Sequence, residues 1–340
     1  MKGRVIFLEP DKIWLSVGEK IFVSYDHGIS RVLVIKLPVS AIEKLLMRFS
    51  LLSRLFRKGI HHLQMSDDHK AVCIANSHVF WIDLVEGEIL AVDRLVGNRP
   101  LNICGVDNTV LYGEYVTRQR DSIRLMKSST EALSWEVALS LPDVRHIHGI
   151  YHDVFDNNFW LTTGDSNSES KIMILSSCYK ISKILFSGSQ QARIVQPLFL
   201  SDCIYFATDA PDELNYIYRF DRQTQKLERE TQVGGPVYFG TSDSEISLFA
   251  TVVEPSAINQ SGFVEIWMNY RARGWKKVML FAKDCLPFKF FQYGQVMFPN
   301  SFKTQAYDYF YIYEYGTKSH GKTHRLSRVQ IIELYESFDD

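Results

Sequence analysis

Short strand-like runs recur along this chain in groups of four, separated by turn residues, at a period of about 35–50 residues. Few architectures accept that pattern. The group that opens at His146 shows it best, reading HIHGIYHD, NFWLTTGD, KIMILSS and ISKILFSG, with Asp156-Asn157-Asn158 as its first turn. RIVQPLFL, CIYFATDA, NYIYRFDR and LERETQV follow, then PVYFGTS, ISLFATVVEP, FVEIWMNY and WKKVMLFAK. Upstream lie three more such groups, beginning RVIFLE, HHLQMS and LNICGV. The end of the chain, KFFQYGQVMF, DYFYIYEYG and LSRVQIIELYE, makes a weaker seventh. The expected fold is all-β, a β-propeller of seven four-stranded antiparallel blades, six being the alternative if the first strand completes the last blade. No Pro/Gly/Ser-rich linker or change of pattern marks a boundary, so residues 1–340 are expected to form a single propeller domain.

One segment departs from the strand pattern. Residues 40–58, SAIEKLLMRFSLLSRLFRK, read as a helical insertion, with Ser40 and Glu43 at capping-box spacing. Ile42, Leu45, Leu46, Phe49, Leu52 and Phe56 fall on one stripe, with Met47 and Leu51 outside it. Lys44, Arg48, Arg54, Arg57 and Lys58 make the segment basic. Such a helix packs against its own domain, lies on a membrane surface as a peripheral contact, or docks a partner protein.

The formal net charge of −1 argues against nucleic acid as a partner, since nucleic-acid binders usually carry a basic field. Aromatic residues make up 13% of the chain, which suits pleated strands and sugar-binding surfaces alike. Cys73, Cys104, Cys178, Cys203 and Cys285 show neither a disulfide framework nor zinc spacing, and read as buried free thiols of a reducing compartment. The N-terminus has no signal-peptide pattern and no apolar run reaches a membrane-spanning length, so a cytoplasmic protein is expected. Phosphate-loop, dinucleotide-binding and nucleophile-elbow motifs are absent.

Two hairpin turns carry a further mark. Ser128, Ser134 and Trp135 match in register the S-x-D-x-G-x-T-W turn of the Asp-box, with Thr130 and Ala132 where Asp and Gly are expected. MNYRARGW at 268–275 keeps the tryptophan and the hairpin position. The chain thus resembles a degenerate member of the BNR, or sialidase-like, propellers. HIHGIYHDVFDNNFWLTTGD is similar to a stretch in uncharacterised BNR-like proteins linked with bacterial surface-polysaccharide synthesis. The resemblance implies the propeller fold and a role around carbohydrate. The catalytic set of sialidases finds no residue-by-residue match here, so that activity is not carried over.

Aligning the repeats exposes a polar signature. Second strands end in Gly113-Glu114-Tyr115, Thr163-Gly164-Asp165, Thr208-Asp209 and Val253-Glu254-Pro255, with Glu314 as the counterpart in the last unit. Entrances to first strands carry His61-His62, Asn98-Arg99-Pro100, Arg145-His146-Ile147-His148 and Ser189 to Arg193. In a propeller these two sets belong to one face, so a top-face funnel is expected, with function in its loops. Three chemistries fit. Glycoside hydrolysis needs two carboxylates, for which Glu114, Asp165, Asp209 and Glu254 are candidates. Polysaccharide elimination needs a base, His146 or His148, and an arginine clamp for a uronate, Arg145 or Arg193. Arg99, Tyr115 and Gln190 complete the candidate substrate contacts. A divalent metal is the third option, because His146 and His148 lie two apart on one side of a strand and could be joined by His61, His62, Gln190 or an acid. The expectation is a carbohydrate-active propeller, binding or cleaving a polar or acidic glycan without a cofactor. The alternative is a non-catalytic interaction propeller that docks through its rim or residues 40–58.

Overall fold

The structure is a computed structural model and describes residues 1, 3–66, 69–116, 121–129, 131–301 and 306–337. Consecutive strands pair into seven antiparallel sheets, the seven-bladed β-propeller that the repeats predict. The best-formed sheet runs His146–Asp153, Asn158–Gly164, Lys171–Leu175 and Ile181–Ser187 in spatial order. Its first three strands are buried almost throughout, while the fourth is mostly exposed, as an outer strand should be. Six blades are excluded by the sheet count. The first strand, Arg4–Leu8, does add a parallel neighbour, Asn300–Ser301, but the last sheet keeps three strands of its own.

Contacts divide the chain into two compact units. One comprises Met1–Val17, Phe22–Val32 and Gln196–Asp340, the other Gly18–Ile21 and Leu33–Val195. Within the second, Leu111, Ile123, Leu125, Ile147, Ile150, Leu161 and Met173 form one core between neighbouring sheets. Trp135 of the Asp-box-like turn packs against a second cluster with Val72, Ile74 and Val110, edge-on to Tyr112 at 4.6 Å and against Trp81 at 5.6 Å. In the first unit Trp275 does the same with Tyr205 and Phe249, each 5.2 Å away. Each tryptophan therefore joins its hairpin to an adjacent apolar cluster. Thr130 of the former turn lies outside the described residues.

The insertion is correctly placed but is not one helix. α1 spans Ala41–Arg48 and α2 spans Ser50–Leu55, because Phe49 takes an extended conformation (φ −101°, ψ 116°) that breaks the hydrogen-bond ladder. The Ser40/Glu43 capping box forms as expected. The face that anchors the insertion differs from the apolar stripe. Met47 and Arg54 are buried, and Glu43 accepts bonds from Asn76 and Lys58. Ile42 and Leu45 are instead 72% and 54% exposed.

A second correction concerns LSRVQIIELYE. A strand, Thr323–Ser327, leads into a helix, α3, spanning Arg328–Glu336. Ser327 and Gln330 close a capping box, Ile331 and Tyr335 bury one turn apart, and the Tyr335 hydroxyl donates to the Gly274 carbonyl at 2.9 Å. All five cysteines are free, but only Cys73, Cys104 and Cys203 are buried. Among the described residues no helix is long and apolar enough to cross a membrane.

Candidate functional site

Strand register builds the centre of the site. His146 pairs with Gly164, so Asp165, the next residue, emerges beside the histidine. The register then shifts between Ile147 and Gly149, placing His148 in a β-bulge that re-aims its side chain. Similar shifts occur in the first strands Arg4–Leu8, Ile60–Met65 and Val237–Ser242. The two imidazoles stack with centroids 5.1 Å apart and planes 16° apart. Tyr115 covers the outer face of His146 at 4.2 Å. Both histidines are buried, at 3% and 2% exposure.

Asp165 is the hub. Its Oδ1 lies 3.1 Å from His146 Nε2, 3.5 Å from His148 Nε2 and 3.3 Å from Arg193 Nη2, while Oδ2 lies 3.6 Å from Arg145 Nη2. The short 3-10 turn Gln190–Ala192, capped by Ser189, delivers Arg193, and Gln190 Nε2 donates to the Asp165 carbonyl at 2.8 Å. Gly164 leaves the room. A Cβ there would stand 2.6 Å from His148 Cε1 and 3.0 Å from Arg193 Cγ.

Burial works against the charge of Asp165, yet the contacts of His146 and His148 and the Arg193 guanidinium outweigh it and hold the carboxyl far below its usual range. Burial pushes His148 below its ordinary value, more than the Asp165 carboxylate pulls it up. At neutral pH, then, an ionised aspartate faces a neutral His148. His148 Nδ1 is 3.1 Å from the Ile194 carbonyl and His146 Nδ1 is 3.3 Å from that of Val116. A carbonyl only accepts, so each Nδ1 is assigned a proton, and each Nε2 is turned toward Asp165. His146 Nε2, despite its 3.1 Å contact with Asp165, is not aligned as a hydrogen bond.

The structure thus brings together Tyr115, Arg145, His146, His148, Asp165, Gln190 and Arg193. The remaining candidates are placed otherwise. Glu114 is wholly buried and its carboxylate accepts from the backbone N–H, Nε and Nη2 of Arg124 at 2.9, 2.9 and 2.6 Å. Arg99 lies against His61 Nδ1 at 3.3 Å. His62 faces the Pro100 carbonyl at 2.9 Å. In the other unit, Asp209 is buried, Glu254 accepts from the Tyr238 hydroxyl at 3.1 Å, and Glu314 is held by Thr317 and His324. Concave surfaces of about 110 and 290 Å³ in that unit are lined by Tyr205 and Asn269 and by none of the expected site residues.

Glu169 was not foreseen. It accepts from Arg145 backbone N–H and Nε at 3.1 Å and from Ser166 N–H and Oγ at 3.1 and 2.6 Å, tying the Asp165 loop to Arg145. The signal was present, since Ser166 and Glu169 stand at capping-box spacing.

No family model and no curated protein matches the sequence. Solved structures do. The Cps50 (Swd1) β-propeller domain of Myceliophteria thermophila is 11% identical with a TM-score of 0.58, covering 96% of each chain. A chain of the mitotic checkpoint complex is 10% identical at 0.58, covering 92% of this chain and 86% of its own. Dihydro-heme d1 dehydrogenase NirN, in complex with DHE, is 13% identical at 0.55, covering 96% and 66%. The fold is that of a β-propeller, and at these identities the likeness extends to the fold alone.

Proposed function

We propose that this chain is a carbohydrate-active propeller that takes an acidic sugar at the His146–His148–Asp165 cluster, by binding or by elimination. The carrying observation is that two buried imidazoles and two guanidiniums converge on one carboxylate. Arg193 and Arg145 suit the clamping of a uronate carboxylate, and a neutral buried histidine suits proton abstraction beside it. Hydrolysis fits less well. It asks for two carboxylates across the scissile bond, whereas Glu114 is engaged by Arg124 and Glu169 by Arg145 and Ser166. The resemblance at Ser128, Ser134 and Trp135 to BNR propellers supports a carbohydrate setting, with surface-polysaccharide metabolism in the cytoplasm as its context.

The test is calorimetric titration with oligouronates and with neutral oligosaccharides, together with the ultraviolet absorbance of an unsaturated product. Acidic oligomers are expected to bind selectively, and Arg193→Ala to weaken them about 10–100-fold, the worth of a charge-assisted contact of about 1.5–3 kcal/mol. Equal binding of neutral and acidic sugars, or no change in Arg193→Ala, would sink the reading.

A second reading rests on the insertion. Ile42, Leu45, Phe49, Leu51, Leu55 and Phe56 are exposed side by side with exposed Lys44, Arg48 and Arg57, while Glu43 is paired with Lys58. An apolar face rimmed by cations matches an anionic membrane surface. Here the propeller docks on anionic lipid through α1 and α2. Vesicles with anionic headgroups should sediment the protein in a salt-sensitive manner, and Leu45→Asp with Phe49→Asp should abolish it. Equal sedimentation by purely zwitterionic vesicles, or none by either kind, defeats this reading.

A further inference from the structure

We infer that His146, His148 and Asp165 form a site for one first-row divalent transition-metal ion. The inference deepens the reading of this cluster as the working site and rests on it, though not on any sugar. Convergence is the first argument. Each buried imidazole turns Nδ1 to a backbone carbonyl, of Val116 or of Ile194, and Nε2 toward Asp165 Oδ1. Two imidazole nitrogens and a carboxylate oxygen thus meet at one point, a donor set that suits a first-row divalent ion.

Spacing is the second argument. Metal–nitrogen and metal–oxygen bonds of about 2.0–2.2 Å in a tetrahedron separate neighbouring ligand atoms by about 3.3–3.5 Å. The Nε2 atoms lie 3.1 and 3.5 Å from Oδ1, and the three ligand atoms fall within 4.8 Å of one another. The carbonyls on both Nδ1 atoms are the outer contacts that orient histidine ligands in metal sites. His146 Nε2 supplies the third argument, being buried and aimed into the cluster without an aligned hydrogen bond. Imidazole with carboxylate favours zinc-like ions over magnesium or calcium. Three protein ligands leave a position open for water or a sugar oxygen, reached past the Asp165 side chain, which is 30% exposed.

Arg193 decides how the site works. Its Nη2, 3.3 Å from Oδ1, is the cation that satisfies Asp165 without metal. Metal and guanidinium therefore compete for one oxygen, and loading frees Arg193 to meet an acidic ligand.

The experiment uses tag-free, chelator-treated full chain, titrated with Zn²⁺ by calorimetry and with Co²⁺ by visible absorbance, in the absence of sugar. One equivalent is expected to bind, with ligand-field bands for Co²⁺. His146→Ala and His148→Ala should each lose it, Asp165→Asn should weaken it about tenfold or more, and Arg193→Ala should tighten it about tenfold. Circular dichroism confirms that each variant is folded. No stoichiometric binding in either the parent or Arg193→Ala overturns the inference, as does unchanged binding in folded His146→Ala. Acidic-sugar binding measured in chelator is scored separately. Sugar without metal defeats the metal site alone, and metal without sugar defeats the glycan reading alone.

Discussion

Glu114→Ala is expected to lower unfolding stability by about 2–3 kcal/mol in denaturant titrations while leaving binding at the His146–His148–Asp165 cluster intact. Glu114 has no exposed surface and accepts three bonds from one residue, Arg124. Removing one member of a buried ion pair typically costs about 3–5 kcal/mol, because the partner keeps its charge and loses its counter-charge. Arg124 is about one-third exposed at its side chain, so water recovers part of that cost. Glu114→Gln keeps the shape and one acceptor, and should cost about half as much. The opposite outcome, little loss of stability with loss of sugar binding, would make Glu114 a working acid after all.

Glu114 also marks the limit of what the sequence carries. Aligning the repeats put Glu114 and Asp165 at equivalent blade positions, and both do follow their second strands. Their chemistry diverges because Arg124, on the strand paired with Glu114's own, captures one carboxylate, while His146 and Arg193 reach the other. Arg124 is only ten residues from Glu114, but which acid an arginine captures depends on the register and the final side-chain directions, which the repeat pattern does not carry. The seven sheets were legible because short apolar runs and turn residues are local properties. So was the Ser40 cap. The break at Phe49 was not, since the Met47 and Arg54 anchors depend on burial against residues such as Asn76. α3 starts at a Ser327–Gln330 capping box that the sequence spells, but VQIIELY is as apolar and β-branched as the strands before it, so a short run of this kind does not separate helix from strand. The proximity of His146 and His148 was legible from their spacing, but the bulge that sets their final angle was not.

Acidification provides the other large expected effect, and Glu169 is one of its carriers. Its side chain is only 12% exposed. Burial opposes its charge, but hydrogen bonds from Ser166 and Arg145 prevail and hold it at about 2, against 4.5 for a free glutamate. A folded-state value below the unfolded one means that stability is fully present above pH 4.5 and is lost as pH falls toward 2. The span corresponds to about 3 kcal/mol at most, and about 2 kcal/mol after allowance for the partly exposed Arg145. Asp165 is depressed further, so its contribution also starts to be lost below the ordinary aspartate value and goes on falling at lower pH. Urea unfolding midpoints measured between pH 7 and pH 2 should therefore fall more steeply in the parent than in Glu169→Gln, which starts lower and stays flatter because nothing at that position titrates. Because Glu169 also holds Arg145 beside Asp165, the same variant should weaken acidic-sugar binding at neutral pH by a smaller factor than Arg193→Ala. Parallel pH profiles for the two proteins would mean that the Ser166–Glu169–Arg145 link does not stabilise the fold, and that the loop carrying Asp165 is held by its strand pairing alone.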